Sequence, residues 1–213
     1  MSAERIRVLL VDDHLVVRNG VQLILGTVDD IVVTGEAESS EAAMQLVAEH
    51  DFDVALIDIA LPGKNGLDLL RQLRALRPRM AVLVLSMYAE EVYAVRALRN
   101  GASGYMTKDS SAAIIVAAVR SVAAGRKYVS PALADRLADL LGGHETLPHE
   151  SLSDRELEVL KLLAAGSSLV DIAALLHLSP STVTTYRARV LEKTALKSNA
   201  ALTRYALEHG LIT

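Results

Sequence analysis

Val8-Leu-Leu-Val-Asp-Asp-His14 and Val54-Ala-Leu-Ile-Asp58 decide the fold. Each is a short apolar run without alternation, ended by acid. Strands that are apolar along their whole length are buried on both faces, as in a parallel sheet covered by helices. In such sheets ligands bind beyond the carboxyl ends of the strands. The pattern therefore predicts that Asp12, Asp13 and Asp58 converge at one rim of one sheet. Like charges held that close are costly unless a cation joins them, and hard oxygen ligands of this kind suit Mg²⁺.

Outward from these two stretches, residues 1–125 alternate short apolar runs with longer amphipathic ones. Strands are predicted near 6–11, 31–37, 54–58, 81–86 and 104–106, and helices near 15–26, 39–49, 65–76, 89–100 and 111–124. Five β–α repeats with short connections imply a doubly wound parallel sheet. Pro62-Gly63 and Gly66 punctuate the loop after the third strand and Gly101 ends the fourth helix; taken alone these are turn and cap residues. Residues 126–150 read as a linker with one helix, opened by Ser130-Pro131 and stopped by Gly142-Gly143. His144 and His149 lie there without Cys or clustered carboxylates, so they read as solvated linker residues and not as a metal site.

Residues 151–213 read as four helices. Ser153-Asp-Arg-Glu156 is a capping box, Ser168 caps a short helix through Leu176, and His177-Leu178-Ser179 makes a tight turn. Ser179-Pro180 opens a third helix to about Lys193, and a last helix covers roughly 198–208. Two short helices around a tight turn, the second rich in basic and hydroxyl residues, form the helix-turn-helix pattern.

The bulk numbers bound the classes. A chain of 213 residues suits two domains. The 51 % apolar content against 3 % aromatic, with no Trp, calls for aliphatic cores. The absence of Cys excludes disulfides, thiolate metal sites and Cys nucleophiles. The first residues lack an extended apolar stretch and no apolar run approaches membrane-spanning length, so the expectation is a soluble, cytoplasmic protein with no membrane partner. Net charge is −4, divided as −4 over 1–125, −1 over 126–150 and +1 over 151–213. An acidic end with a carboxylate site and a local basic stripe suggest separate jobs.

A carboxylate beside a bound Mg²⁺ and a fixed ammonium can attack phosphorus, because the cations neutralise charge on the equatorial oxygens. Ser86, after Val82-Leu-Val-Leu, can donate a hydroxyl to a phosphoryl oxygen, and Lys108, in Gly104-Tyr-Met-Thr-Lys-Asp, can pair with its charge. Val11-Asp12-Asp13-His14, Asp58 before Leu61-Pro62-Gly63-Lys64-Asn65-Gly66, Ser86 and Gly104-Tyr105 with Lys108 together resemble the receiver domain of two-component response regulators, over all of residues 5–125. The resemblance implies an α/β receiver of flavodoxin-like fold, with five parallel strands in the order 2-1-3-4-5. It implies Asp58 as phospho-acceptor and Asp13 as direct metal ligand with Asp12 assisting, partly through water. Asp58 and the backbone carbonyl of Ala60 would complete the protein's share of the Mg²⁺ shell, with Ser86 as switch hydroxyl, Lys108 as phosphate-pairing cation and Tyr105 as switch aromatic. Asp109 stands where many receivers have proline, so no cis-proline follows Lys108, and Ala60 is small where larger polar residues are common.

In the third C-terminal helix, Val183, Val190 and Leu191 fall at core spacing, while Thr184, Thr185, Arg187, Ala188 and Lys193 fall on the opposite face. Hydroxyls and small side chains can approach base edges, while Arg and Lys contact phosphates. Leu152-Ser-Asp-Arg-Glu-Leu-Glu-Val-Leu160, Asp171-Ile-Ala, Leu178-Ser179 and Ser181-Thr-Val183 resemble the LuxR-type helix-turn-helix of NarL/FixJ response regulators over roughly 148–213. By that resemblance Thr184, Thr185 and Ala188 face bases, and Ser181, Thr182, Tyr186, Arg187, Arg189, Lys193 and Lys197 meet the DNA backbone. Thr184 replaces a frequent lysine, and Thr194-Ala195 replaces the usual Leu-Gly at the helix end.

The two resemblances imply a phosphorylation-controlled transcription factor and not an enzyme in the ordinary sense, catalysing only its own phosphorylation and dephosphorylation. The implied partners are double-stranded DNA, a cognate histidine kinase, a second copy of the chain when phosphorylated, and RNA polymerase. An acid-nucleophile hydrolase would carry a second Asp where Ala60 stands. A small-molecule-sensing LuxR-type regulator would not need the acids with Ser86 and Lys108, and the intact pocket argues against a receiver used for dimerisation alone.

Overall fold

The computed structural model describes residues 5–61, 65–87, 90–141 and 147–212; Pro62-Gly63, Lys64, Gly142-Gly143 and His144, read above as loop and linker, lie outside them. The chain divides into two compact units, Met1–Ala138 and Asp139–Thr213.

In the first unit five strands form one parallel sheet in the order β2-β1-β3-β4-β5: β1 (Ile6–Val11), β2 (Ile31–Ala37), β3 (Val54–Ile57), β4 (Ala81–Ser86) and β5 (Gly104–Thr107). Every residue of β3 and of β4 is buried, which is why neither shows polar alternation. The crossovers are α1 (Leu15–Leu25), α2 (Ser40–Glu49), α3 (Gly66–Leu76) and α4 (Glu90–Arg99), and α5 (Ala112–Ala123) follows β5. On one face Val21 and Leu25 of α1 and Ile115, Val119 and Val122 of α5 close over Val8, Leu10, Leu56, Leu83 and Leu85. Burial of these aliphatic side chains contributes about 1.5–3 kcal/mol each to holding the unit together. The helices start where the chain supplies caps: Ser39 Oγ accepts from Ala42 N–H and Asn65 Oδ1 from Leu67 N–H. The helix α6 (Pro131–Leu141) follows.

The second unit carries α7 (Asp154–Ala164), α8 (Leu169–Leu175), α9 (Pro180–Thr194) and α10 (Asn199–Glu208), preceded by a single 3₁₀ turn at Pro148–Ser151. That turn corrects one expectation. His149 is not a solvated linker residue but is 3 % exposed, with Nδ1 2.9 Å from the Tyr205 hydroxyl, and Tyr205 in turn stacks on His209. A histidine can be buried once a ring nitrogen has a partner, and here the partner is 56 residues away in sequence.

Helix α9 packs against α7 and α8, and α10 against α7. Val183 and Val190 of α9 are fully buried. The helix-turn-helix uses left-handed backbone at two ordinary residues: His177 at φ 52° in the turn and Ala195 at φ 55° as the cap that ends α9. The second explains the missing Leu-Gly: α9 ends where a glycine would end it, with Ala bearing the conformation. A left-handed L-residue costs about 1–2 kcal/mol, partly offset by glycine's extra freedom in the unfolded chain. Ala195→Gly is therefore expected to stabilise the second unit by about 1 kcal/mol, read as slower hydrogen exchange of the α7 and α9 core amides; an unchanged or faster exchange would contradict this account of the cap.

Candidate functional site

The parallel register brings the acids together. Val11 of β1 pairs with Ile57 of β3, and Asp58 N–H donates to the Val11 carbonyl at 2.8 Å, so Asp12 and Asp58 leave the sheet side by side. On the far side Ser86 pairs with Thr107, and Lys108 N–H donates to the Ser86 carbonyl at 2.9 Å. From there the Lys108 side chain reaches back across the rim: Nζ is 2.7 Å from Asp58 Oδ2 and 2.5 Å from Asp12 Oδ2. All three side chains are at least nine-tenths buried. Ser86 and Tyr105, at the ends of β4 and in β5, are fully buried.

The electrostatics follow from that burial. Burial pushes the Asp58 pKa up; the hydrogen bond and charge of Lys108 pull it back, the Asp12 charge adds to the rise, and the result stays above the ordinary value. Burial works against the Lys108 ammonium too, but the hydrogen bonds and charges of Asp12 and Asp58 outweigh it and raise its pKa. Lys108 is thus firmly charged, and Asp58 is a poorly hydrated carboxylate beside it.

A carboxylate oxygen from each of Asp12, Asp13 and Asp58 and a ring nitrogen of His14 lie within 4.8 Å of one another. The three carboxylate oxygens of this set fit a small hard divalent cation. Ala60 N–H donates to Asp58 Oδ1 at 3.2 Å, holding the carboxylate from the loop side. Gly66, read above as a turn residue, has a stricter role: a Cβ there would lie 2.0 Å from the Asp58 carbonyl oxygen. The start of α3 can pass this close to the Asp58 carbonyl only because position 66 has no side chain.

Two residues of this site were not singled out in the sequence. His14 Nδ1 is 2.8 Å from Asp13 Oδ1. Arg18, largely buried, donates from Nη1 to the Asp12 carbonyl at 2.5 Å and faces Glu36 of β2. The local signal for Arg18 was its place on α1, one helical turn past the acids, on the side that closes over the sheet.

In the second unit Thr184, Thr185, Ala188 and Arg189 are exposed along α9, and Ser181, Thr182, Thr185, Tyr186 and Arg189 line an open groove on it. The Thr184 and Thr185 hydroxyls donate to the carbonyls of Pro180 and Ser181, leaving their oxygens as acceptors. Arg187 Nε donates to Asn199 Oδ1 and Lys193 Nζ to Glu156 Oε2, whereas Arg189 and Lys197 are not engaged by side chains among the described residues. Glu156 also completes the capping box, accepting Ser153 N–H at 2.7 Å.

The "Response regulator receiver domain" family model matches residues 8–120, and that of "Bacterial regulatory proteins, luxR family" matches 150–206. The chain belongs to the response regulators. It is 36 % identical over 209 residues to response regulator GacA of Pseudomonas aeruginosa, covering 97 % of this chain and 98 % of that one. It is 34 % identical to response regulator UvrY of Escherichia coli, covering 97 % and 95 %. Among solved structures, the response regulator ChrA of a heme-sensing two-component system is 34 % identical with a TM-score of 0.54, covering 98 % of this chain and 99 % of that one. RcsB of Salmonella typhimurium, at 23 % identity and a TM-score of 0.75 over 96 % and 98 %, shares the fold. This response regulator is a phosphorylation-dependent, DNA-binding regulator of transcription and not a conventional enzyme. No helix among its described residues is long and apolar enough to cross a membrane.

Burial works against the Glu156 carboxylate, but Lys193 and Ser153 outweigh it and hold its pKa below the ordinary 4.5. A depressed carboxylate contributes stability that is present above the unfolded value and lost as pH falls through the folded one. Opening free energies of α7 and α9 amides should therefore drop below about pH 4.5. In Glu156→Gln the drop should shrink, with these helices weaker at neutral pH by about 1–2 kcal/mol through the damaged cap and the unpaired Lys193. An acid profile identical in the two proteins would remove Glu156 from the account.

Proposed function

We propose that this response regulator accepts a phosphoryl group on Asp58 from a histidine kinase and passes the change to its DNA-binding domain. The observation that carries this reading is the Lys108 ammonium held between Asp58 and Asp12 at one sheet rim. A buried carboxylate is desolvated and oriented for attack, and the transferred group's charge meets a fixed cation. An Asp58 oxygen forms the bond to phosphorus as the donor's bond to phosphorus breaks, and the donor leaves with that electron pair. Mg²⁺, held by Asp12, Asp13 and Asp58 with the Ala60 carbonyl, supplies further charge neutralisation when bound. Lys108 then exchanges its Asp58 partner for a phosphoryl oxygen, Ser86 donates its hydroxyl to another, and Tyr105 repacks. The same pocket returns the group to water, so the chain catalyses its own phosphorylation and dephosphorylation.

The domain reading is a receiver over 1–125, a linker over 126–150 and a helix-turn-helix over 151–213. Phosphorylation biases an existing equilibrium towards a homodimer that places two α9 helices on paired half-sites of double-stranded DNA, with RNA polymerase as a further partner. Thr184, Thr185 and Ala188 face bases. Ser181, Thr182, Tyr186, Arg187, Arg189, Lys193 and Lys197 are the backbone candidates, and the two unengaged cations, Arg189 and Lys197, are the most available. The protein is placed in the cytoplasm, where DNA and kinase output meet.

Incubation with Mg²⁺ and acetyl phosphate, or with a panel of histidine kinases, should add one base-labile phosphoryl group by intact mass. Asp58→Asn should show none, and size exclusion should show a larger species only for the modified wild type. A phosphoryl group still added in Asp58→Asn would move the acceptor elsewhere. For DNA, Arg189→Ala should weaken binding alike on all sequences and flatten the slope of log K against log salt by about 1. A slope unchanged by Arg189→Ala would take that residue off the phosphate contact.

A further inference from the structure

The acid pocket contains a nitrogen donor that a pure Mg²⁺ site does not need. His14 Nδ1 lies 2.8 Å from Asp13 Oδ1 and 3.3 Å from Asp12 Oδ1, and it falls in one 4.8 Å group with ligand oxygens of Asp12, Asp13 and Asp58. The residue is anchored there by its own backbone, since His14 N–H donates to Asp12 Oδ1 at 2.9 Å. Arg18 fixes the same loop through the Asp12 carbonyl. The His14 side chain is 63 % exposed, and Nδ1, facing the two carboxylates, is placed to turn a lone pair to a cation that they share. A ring nitrogen within hydrogen-bond reach of two candidate metal-binding carboxylates can either cap them or share their metal.

Resting on the reading of this pocket as a cation site, we infer that His14 is a fourth side-chain ligand that tilts the pocket towards first-row transition ions over Mg²⁺. Mg²⁺ is hard, keeps its waters and gains little from imidazole. Co²⁺ and Ni²⁺ gain progressively from a nitrogen donor, and Mn²⁺ gains least. A three-carboxylate pocket without His14 would rank these ions more narrowly. A His14 that merely caps the acids would, on removal, change the affinity for all divalent ions alike.

The test is calorimetric titration of the full-length protein, wild type and His14→Ala, with Mg²⁺, Mn²⁺ and Ni²⁺ near neutral pH. The chain has six histidines, so only Ni²⁺ displaced by excess Mg²⁺ is counted as bound at the pocket. The expected result is a loss of about tenfold or more in Ni²⁺ affinity in His14→Ala, a smaller loss for Mn²⁺, and Mg²⁺ affinity within about twofold of wild type. Ni²⁺ affinity unchanged in His14→Ala, with Mg²⁺ binding intact, overturns the ligand assignment and leaves the cation pocket standing. Equal losses for Mg²⁺ and Ni²⁺ make His14 a cap and also overturn it. Absence of any Mg²⁺ binding by the wild type, with no Ni²⁺ competition, overturns the pocket and the ligand together.

Discussion

The Lys108 ammonium is the contact on which the pocket depends. Asp12 and Asp58 are set side by side by the β1–β3 register, and neither could stay buried and ionised there against the other's charge. A single cation within 2.7 Å of both offsets that repulsion and leaves the site with a net negative charge once Asp13 is counted. The surplus is what a divalent ion would neutralise. Removing one partner of such a buried set is more damaging than never having built it, because the remaining charges keep their desolvation cost. The fold thus carries a standing electrostatic demand at one rim.

A smaller version of the same device organises the second unit. Glu156 is 3 % exposed and bonds at once to the start of its own helix and to Lys193 of α9. It fixes how α9 lies on α7, and so what α9 presents outward. The consequence is a division of labour among the basic residues of α9. Lys193 and Arg187 are tied to Glu156 and Asn199, while Arg189 is left for solvent or a phosphate. Charge on a helix face is therefore not equivalent to charge available for binding.

What could be read from the sequence is what depends on local pattern. The unbroken apolar runs of β3 and β4 give buried strands, the acids that follow β1 and β3 give a rim, and Ser153 with Glu156 gives a helix start. What could not be read depends on distance across the fold. Nothing in the order of residues says that Lys193 will meet an acid 37 positions earlier or that His149 will find Tyr205 56 positions later. His14 and Gly66 escape for a different reason: both sit beside the residues that carry the pattern, Gly66 looks like an ordinary turn glycine, and nothing in the sequence marks His14 as part of the site. Only the 2.0 Å approach to the Asp58 carbonyl shows why position 66 tolerates no side chain, and only the Nδ1 geometry places His14 among the acids.

Tyr105 joins the energetics of the pocket to those of the core. It is fully buried in β5, in register with Val84 of β4, and packed two residues before the strand hands over to Lys108. Exposing such a ring costs about 1.5–3 kcal/mol. In the proposed switch Lys108 already bonds Asp58 and Asp12, so it exchanges one anionic oxygen for another and keeps the added charge paired, while a hydrogen bond from Ser86 to a phosphoryl oxygen is worth about 1.5–3 kcal/mol net. That is the size of the cost of moving one aromatic ring. The proposed coupling of the pocket to Tyr105 therefore turns on the hydroxyl, with the ammonium holding the charge in place.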